Sequence, residues 1–532
     1  MAGFDRIAGR TIMTLTNLDL TILVCYVLGL LLIAYAVSRE KAGHSKDTND
    51  YFLAGNSLPW WAIGASLIAA NISAEQIIGM SGSGYAIGLA IASYEWMGAI
   101  TLIIVGKYFL PIFLKRKIYT MPQFLQQRFD NRVRTTMALF WLAVYVFVNL
   151  TAVLWLGALA INTVTGVSLT NSMLLLAGLS VAYSLYGGLK AVAFTDIIQV
   201  VLLVAGGLFL SYMSLQALGD GNGIWSGLSR LMSEAPDKFD MILTPDNPHY
   251  ISLPGISVLI GGMWVMNLSY WGFNQYIIQR TLAAKDLAEA QKGIAFAAFL
   301  KLLMPVIVVL PGIAATLLLP ALDKPDQAYP QLMSMMPSGI KGLIFAALVA
   351  AILSSLASMT NSIATIFTMD IYSQLKPAKS QKHYVFVGRA VSLLALAVAL
   401  MTAKPLLGEF DQAYQYIQEF TGFFTPGIVV LFMLGMFWRR TTPLAALLAA
   451  IGSAVLSLLF KLFWPELPFM DRVGLVFISC LLLAIAVSLY QNQGEQPNAV
   501  QLDDIQFSTR SSFNLSAAIV SLILVAFYAA WW

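Results

Sequence analysis

GASLIAANISAEQIIGMSGSGY, residues 64–85, is apolar enough to enter a membrane and too polar at its middle to cross one as an ordinary helix. Asn71, Ser73, Glu75 and Gln76 occupy its centre, and Gly79, Gly82 and Gly84 follow. Polar and ionisable groups at membrane depth are costly and mark a pathway or a binding site. Residues 259–279, LIGGMWVMNLSYWGFNQYIIQ, form a counterpart, with Gly261 and Gly262 ahead of Asn267, Ser269, Tyr270, Trp271, Asn274 and Gln275. Two helices interrupted at matching places are the best sequence pointer to the central site of a carrier. Unwound backbone there exposes carbonyls that can hold a cation. The plainer alternative is a pair of bundle-facing helices packed through small residues.

The rest of the chain agrees with a membrane solvent. Hydrophobic residues make up 58% of 532 positions and charged residues 11%, with a mean hydropathy of +0.75. A soluble surface needs roughly 25% charged residues. Taking about 20 apolar residues per span, fourteen spans begin near residues 18, 58, 85, 135, 171, 194, 254, 293, 339, 386, 420, 441, 471 and 514. The odd-numbered connections hold 21 of the 31 Lys and Arg, among them Lys115, Arg116, Lys117, Arg128, Arg132 and Arg134. Positive loops stay in the cytoplasm, so both termini are expected outside, in a bacterial inner membrane.

The net charge of +4 sits in short loops and does not point to nucleic acid. Cys25 and Cys480 lie in separate apolar stretches, which implies no disulfide or metal framework. The N-terminal residues carry no signal-peptide pattern. There is no Walker loop. His44, His249 and His383 read as loop residues, and no Ser-His-Asp or metal-ligand grouping accompanies them. An ATP motor and an enzyme are thereby disfavoured. Residues 218–253, with Asp220, Glu234, Asp237, Asp240 and Asp246, form the longest outer segment and predict a short surface helix acting as a cap.

Two charges lie at membrane depth: Glu95 in SYEWMGAI and Lys301 in AFAAFLKLLMP. A lone Lys there costs about 2.5–3.5 kcal/mol on insertion scales. The pair reads either as a structural ion pair or as two ligands converging on substrate hydroxyls. Sugar hydroxyls donate and accept, so amides, a carboxylate and an ammonium suit them. Tyr270 would cover the C–H face of a pyranose, and Gln415 and Gln418 in AYQYIQEFTG offer another amide. An amino-acid carrier should show an Arg or exposed helix end for the carboxylate, and no Arg reads as intramembrane. In AAILSSLASMTNS, Ser354 and Ser355 are adjacent hydroxyls suited to sodium, which takes hard oxygen ligands.

The runs at 49–96, 186–203 (YGGLKAVAFTDIIQVVLL), 270–285 (YWGFNQYIIQRTLAAK) and 346–362 (AALVAAILSSLASMTNS) resemble the sodium:solute symporter family. The likeness runs almost end to end and is nearest to the family's bacterial sodium/galactose type. It implies an all-α membrane protein of about fourteen transmembrane helices with a LeuT-type five-plus-five inverted repeat. Residues 1–57 would hold one extra helix and a cytoplasmic loop. Residues 58–217 and 254–438 would be the two repeats, separated by the outer segment 218–253, and 439–532 would add three helices. By the same resemblance the sugar site comprises Asn71, Gln76, Glu95, Asn267, Lys301 and Gln418. Tyr270 is then the inner gate and Trp271 its neighbour, with Met80, Tyr94 and Tyr414 as the outer cover. Sodium takes the carbonyls of Ala69, Ile72 and Ala351 with the hydroxyls of Ser354 and Ser355, and Asp196 lies on its exit route.

Three positions depart from the galactose type: Gly98 replaces a sugar-contacting serine, Tyr414 a phenylalanine and Ser269 a tyrosine. Ala357 stands where two-sodium members carry a further serine, which favours one sodium per sugar. The expectation is a sodium-coupled importer of a monosaccharide, galactose or glucose, working by alternating access. A same-fold carrier of an inositol, a nucleoside or an amino acid is the nearer alternative, and a sensor or channel the farther one. The expected partners are the sugar, sodium and the lipid bilayer. The sequence does not fix the oligomeric state or whether lithium or protons replace sodium.

Overall fold

The computed structural model describes residues 4–7, 10–13, 15–38, 57–118, 120–184, 189–408, 410 and 412–532. Helical segments begin within two turns of all fourteen expected starts. Nine helices among the described residues are long and apolar enough to cross a bilayer, or eleven if each of two bent pairs is one span. Two shorter apolar helices correspond to spans 1 and 5, and span 7 is too interrupted to qualify by length. A two-stranded ribbon, Phe4–Ile7 against Arg10–Met13, is the one departure from helix in the elements described.

The expected breaks are present. In span 2, Trp60–Asn71 and Glu75–Ala86 meet at 63°. Ile72 leaves helical geometry with ψ 87°, and the Ser73 amide donates to the Asn71 carbonyl at 2.9 Å rather than four residues back to Ala69. Span 7 runs through Gly262–Leu268 and a π-helical turn, Ser269–Phe273, before Asn274 becomes extended and Gln275–Leu282 resumes. Span 11 is broken as well: Ala413–Thr421 and Thr425–Phe437 meet at 47°. Gly422 and Pro426, in TGFFTPG, account for that bend, because Pro opens the second half where a backbone donor is dispensable.

Span 8, Leu287–Leu318, packs on spans 2 and 3 and so carries Lys301 to the centre. Its approach to span 2 is backbone-close. A Cβ at Gly64 would lie 2.7 Å from the Gly293 carbonyl, and one at Gly293 would lie 2.8 Å from that of Trp60. Small residues permit such contact where lipid offers no hydrophobic drive between helices. Span 9, Ile340–Leu375, is largely buried. Spans 10, 12, 13 and 14 instead expose Phe386, Leu394, Leu462, Phe463, Leu482, Leu522 and Val525, as lipid-facing helices do.

The outer segment contains the expected surface helix, Ile224–Glu234. Lys238 Nζ donates to the Ala86 carbonyl at 2.7 Å, and the Met241 amide to that of Trp531 at 2.9 Å. The segment is thereby fastened over the turn between spans 2 and 3 and the end of span 14. His383 lies in the first turn of Gln381–Leu407 rather than in a loop, and bonds Tyr372 at 2.8 Å. His44 is outside the described residues.

Candidate functional site

A cavity lies where the breaks of spans 2, 7 and 11 meet. Asn71, Gln76, Glu95, Asn267, Tyr270, Trp271, Lys301 and Gln418 all line it. Three π-helical turns, Glu75–Met80, Val144–Leu150 and Ser269–Phe273, supply much of its wall. A π turn carries an extra residue and re-aims the side chains around it, which is why such turns recur at functional sites.

The ion pair belongs to the wall. Lys301 Nζ donates to Glu95 Oε2 and to Asn71 Oδ1. Gln76 Nε2 donates to Glu95 Oε1 at 2.8 Å. Glu95 is 2% exposed and Lys301 1%, so neither charge is compensated by bulk water. A buried pair contributes little net stability beside an apolar replacement. Here it fixes the orientations of two amides facing the cavity. The structural and ligand readings of these charges therefore describe one arrangement. Lys301 Nζ also lies 4.8 Å from the Trp271 ring centroid, within cation–π range.

Aromatic side chains bound the space on two sides. Tyr94 and Tyr414 meet edge to face, with centroids 5.3 Å apart. Met80, expected beside them, is fully buried and is not part of the cavity wall. Tyr270 OH accepts from Asn71 Nδ2 at 3.0 Å and bonds Tyr276 OH at 3.1 Å. The Tyr270 ring stands edge-on to Trp271 at 5.0 Å. Gln415 is not part of the wall, and neither of its amide atoms has a partner among the described residues.

A second, small cavity brings Ala69 of span 2 together with Ser354 and Ser355 of span 9. Ile72 and Ala351 are buried and off its wall. Asp196 lies on the helix Leu189–Leu218, and its side chain is outside those described. Arg280 corrects the expectation that no Arg lies deep in the bundle. Span 7 continues past Asn274, and its second half carries Arg280, 2% exposed, to this same small cavity. Arg280 Nε donates to Ser66 Oγ at 3.0 Å, and Nη1 to the Tyr276 carbonyl.

The central wall also contains Glu75, Tyr145, Asn149 and Asn274. Tyr145 OH donates to Asn274 Oδ1 at 2.7 Å. Tyr145 and Asn149 were discoverable as a polar pair four residues apart in the apolar run WLAVYVFVNLTAV, residues 141–153, and therefore on one helix face.

The sequence model of the sodium:solute symporter family matches residues 51–452. The chain belongs to that family. A sodium/glucose cotransporter of Vibrio parahaemolyticus is 50% identical, over 97% of this chain and 99% of its own length. A human sodium/myo-inositol cotransporter 2 is 34% identical, over 83% of this chain and 69% of its own. Among solved structures, an outward-open Na+-coupled sialic acid symporter superposes with a TM-score of 0.77 at 24% identity, covering 89% of this chain and 98% of that one. A nucleobase-cation-symport-1 family transporter does so at 0.53 and 14%, covering 89% and 99%. The fold is thus that of the LeuT-type transporters.

Within this family member, Gly98 lies directly under the proposed ligands. A Cβ added there would be 2.9 Å from Trp271 Nε1 and 3.0 Å from Asn267 Oδ1. The glycine lets those two side chains occupy space that a serine would fill. Ser269, another departure from the sodium/galactose type, lines the same wall.

Proposed function

We propose that this chain is a sodium-coupled importer of a monosaccharide, galactose or glucose, residing in a bacterial inner membrane with both termini outside. One observation carries the reading. Eight polar and aromatic side chains from five separate spans converge on one cavity between broken helices. Their chemistry is amide, carboxylate, ammonium and aromatic face, which matches a ring bearing hydroxyls. The 50% identity to a sodium/glucose cotransporter over nearly the whole chain supports the same class.

Sodium enters the proposal at Ser354 and Ser355, with the carbonyls of Ala69, Ile72 and Ala351. It joins the first half of span 2 to span 9, and so forms the site that presents Asn71 to the sugar. Sugar then closes the Tyr94–Tyr414 cover. Inward opening separates span 2 from span 9, sodium leaves along Asp196, and Tyr270 gives up its bond to Asn71. The units that move are residues 58–217 and 254–438, acting as inverted repeats.

Competition tests the substrate class. Galactose or glucose in excess should suppress sodium-driven uptake of the labelled hexose, while myo-inositol, a nucleoside or an amino acid should not. Suppression by one of those solutes alone would assign the cavity to it.

A further inference from the structure

The cavity has more capacity to accept hydrogen bonds than the proposed ligands use, and one of the unbonded acceptors belongs to a carboxyl group. Both oxygens of Glu95 are occupied, one by Gln76 Nε2 and the other by Lys301 Nζ. Glu75 is different. It lines the same cavity, is 8% exposed, and its Oε1 has no partner among the described residues. Asn149 of span 4 lines the same space. Gln76 Oε1 and Tyr94 OH are likewise buried without a partner. A buried acceptor left unmade is costly, and nothing apolar can relieve it. The π-helical turn beginning at Glu75 sets adjacent carboxylate and amide acceptors toward one space.

We infer that Glu75 is a direct acceptor for one hydroxyl of the transported sugar and a determinant of which sugar is taken. The inference rests on the sugar reading above and deepens it. In that arrangement Glu95 acts mainly by holding Gln76 and Lys301 in place. Glu75 makes the contact that an analogue lacking the hydroxyl cannot replace. Sites built to bond a hydroxyl reject analogues lacking it far more strongly than apolar pockets reject a size change.

Monodeoxy analogues of the transported hexose separate the possibilities, used as competitors of labelled uptake into proteoliposomes by wild type, Glu75→Ala and Glu75→Gln. In wild type one deoxy position should weaken competition by roughly ten- to a hundredfold, as expected when a buried acceptor is left without its hydrogen bond. In Glu75→Ala the penalty at that position should fall close to one while the other positions keep theirs. Glu75→Gln, which retains an acceptor oxygen, should fall between. If a variant binds without transporting, the same ratios are read from displacement of labelled sugar in detergent. Unaltered deoxy ratios in Glu75→Ala would overturn the inference and leave the sugar reading standing. Altered sodium activation with unaltered deoxy ratios would also overturn it, assigning Glu75 to a cation. Absence of hexose binding in wild type would overturn both.

Discussion

Ser354 and Ser355 place two neutral oxygens beside Ala69, three residues before the backbone leaves its helix at Ile72. Sodium needs hard oxygens, and at the proposed site neutral ones would keep its binding weak enough to reverse on each cycle. Ser355→Ala should abolish sodium-dependent uptake while sugar binding persists weakly. Normal sodium activation in that variant would remove the assignment. Gly98 makes a second residue-scale prediction. A methyl group there must displace the Trp271 indole or the Asn267 amide, so Gly98→Ala should raise the half-saturating sugar concentration severalfold. Gly98→Ser adds a hydroxyl to the same intrusion and should recover part of the loss for galactose. Equal values for the two variants would exclude position 98 as a sugar contact.

At this scale the sequence was informative where a polar residue interrupted an apolar run at an expected break. Asn71, Gln76, Asn267 and Tyr270 all met that condition. Glu75 and Asn274 were visible in the same runs, but spacing alone does not say which of several adjacent polar groups faces inward. Tyr145 and Asn149 lie in an otherwise unbroken apolar stretch, so their inward aim depends on the π-helical turn at Val144–Leu150. Arg280 was missed because it falls one residue beyond the run 259–279 read as span 7.

Among the elements, the outer segment 218–253 offers a test by pH. His249 is held below its ordinary pKa, first by burial and then by Lys238, while a backbone bond at Ala86 opposes the shift. A protonated His249 is thus disfavoured in the docked segment. Docking should be fully stable above the ordinary histidine value of 6.5 and weaken as pH falls from there toward the lowered value. Hydrogen exchange over residues 236–253, corrected for intrinsic rates, should show more opening at about pH 5.5 than at about pH 7.5. Substituting His249→Asn should flatten that difference. Equal protection at both pH values in wild type would mean that His249 does not govern the docking. The break in span 2 was legible because Asn71, Ser73, Glu75 and Gln76 cluster at its centre, with three glycines after them. The break in span 11 was not, because Gly422 and Pro426 sit beside bulky apolar residues and resemble the start of a fresh span.

For the molecule as a whole, the energetics of coupling are adequate. One sodium crossing about 100 mV yields roughly 2.3 kcal/mol, and a tenfold sodium gradient adds about 1.4 kcal/mol. That supports sugar accumulation of several hundredfold at one ion per sugar. Such coupling requires that the two cavities communicate, and they do so through span 2. Its first half carries Ala69 to the small cavity and Asn71 to the central one. Asn71 in turn bonds both Tyr270 and Lys301. On the proposed assignments, loss of sodium at one end would bear on the sugar ligands at the other within a single helix turn.

The most direct test is uptake of radiolabelled galactose and glucose into proteoliposomes, with an inward sodium gradient or with potassium in its place. Accumulation above the external concentration with sodium, and only equilibration or less with potassium, is the predicted result. Equal uptake in both salts, or no hexose uptake while sodium still binds, would contradict sodium-coupled sugar transport by this chain.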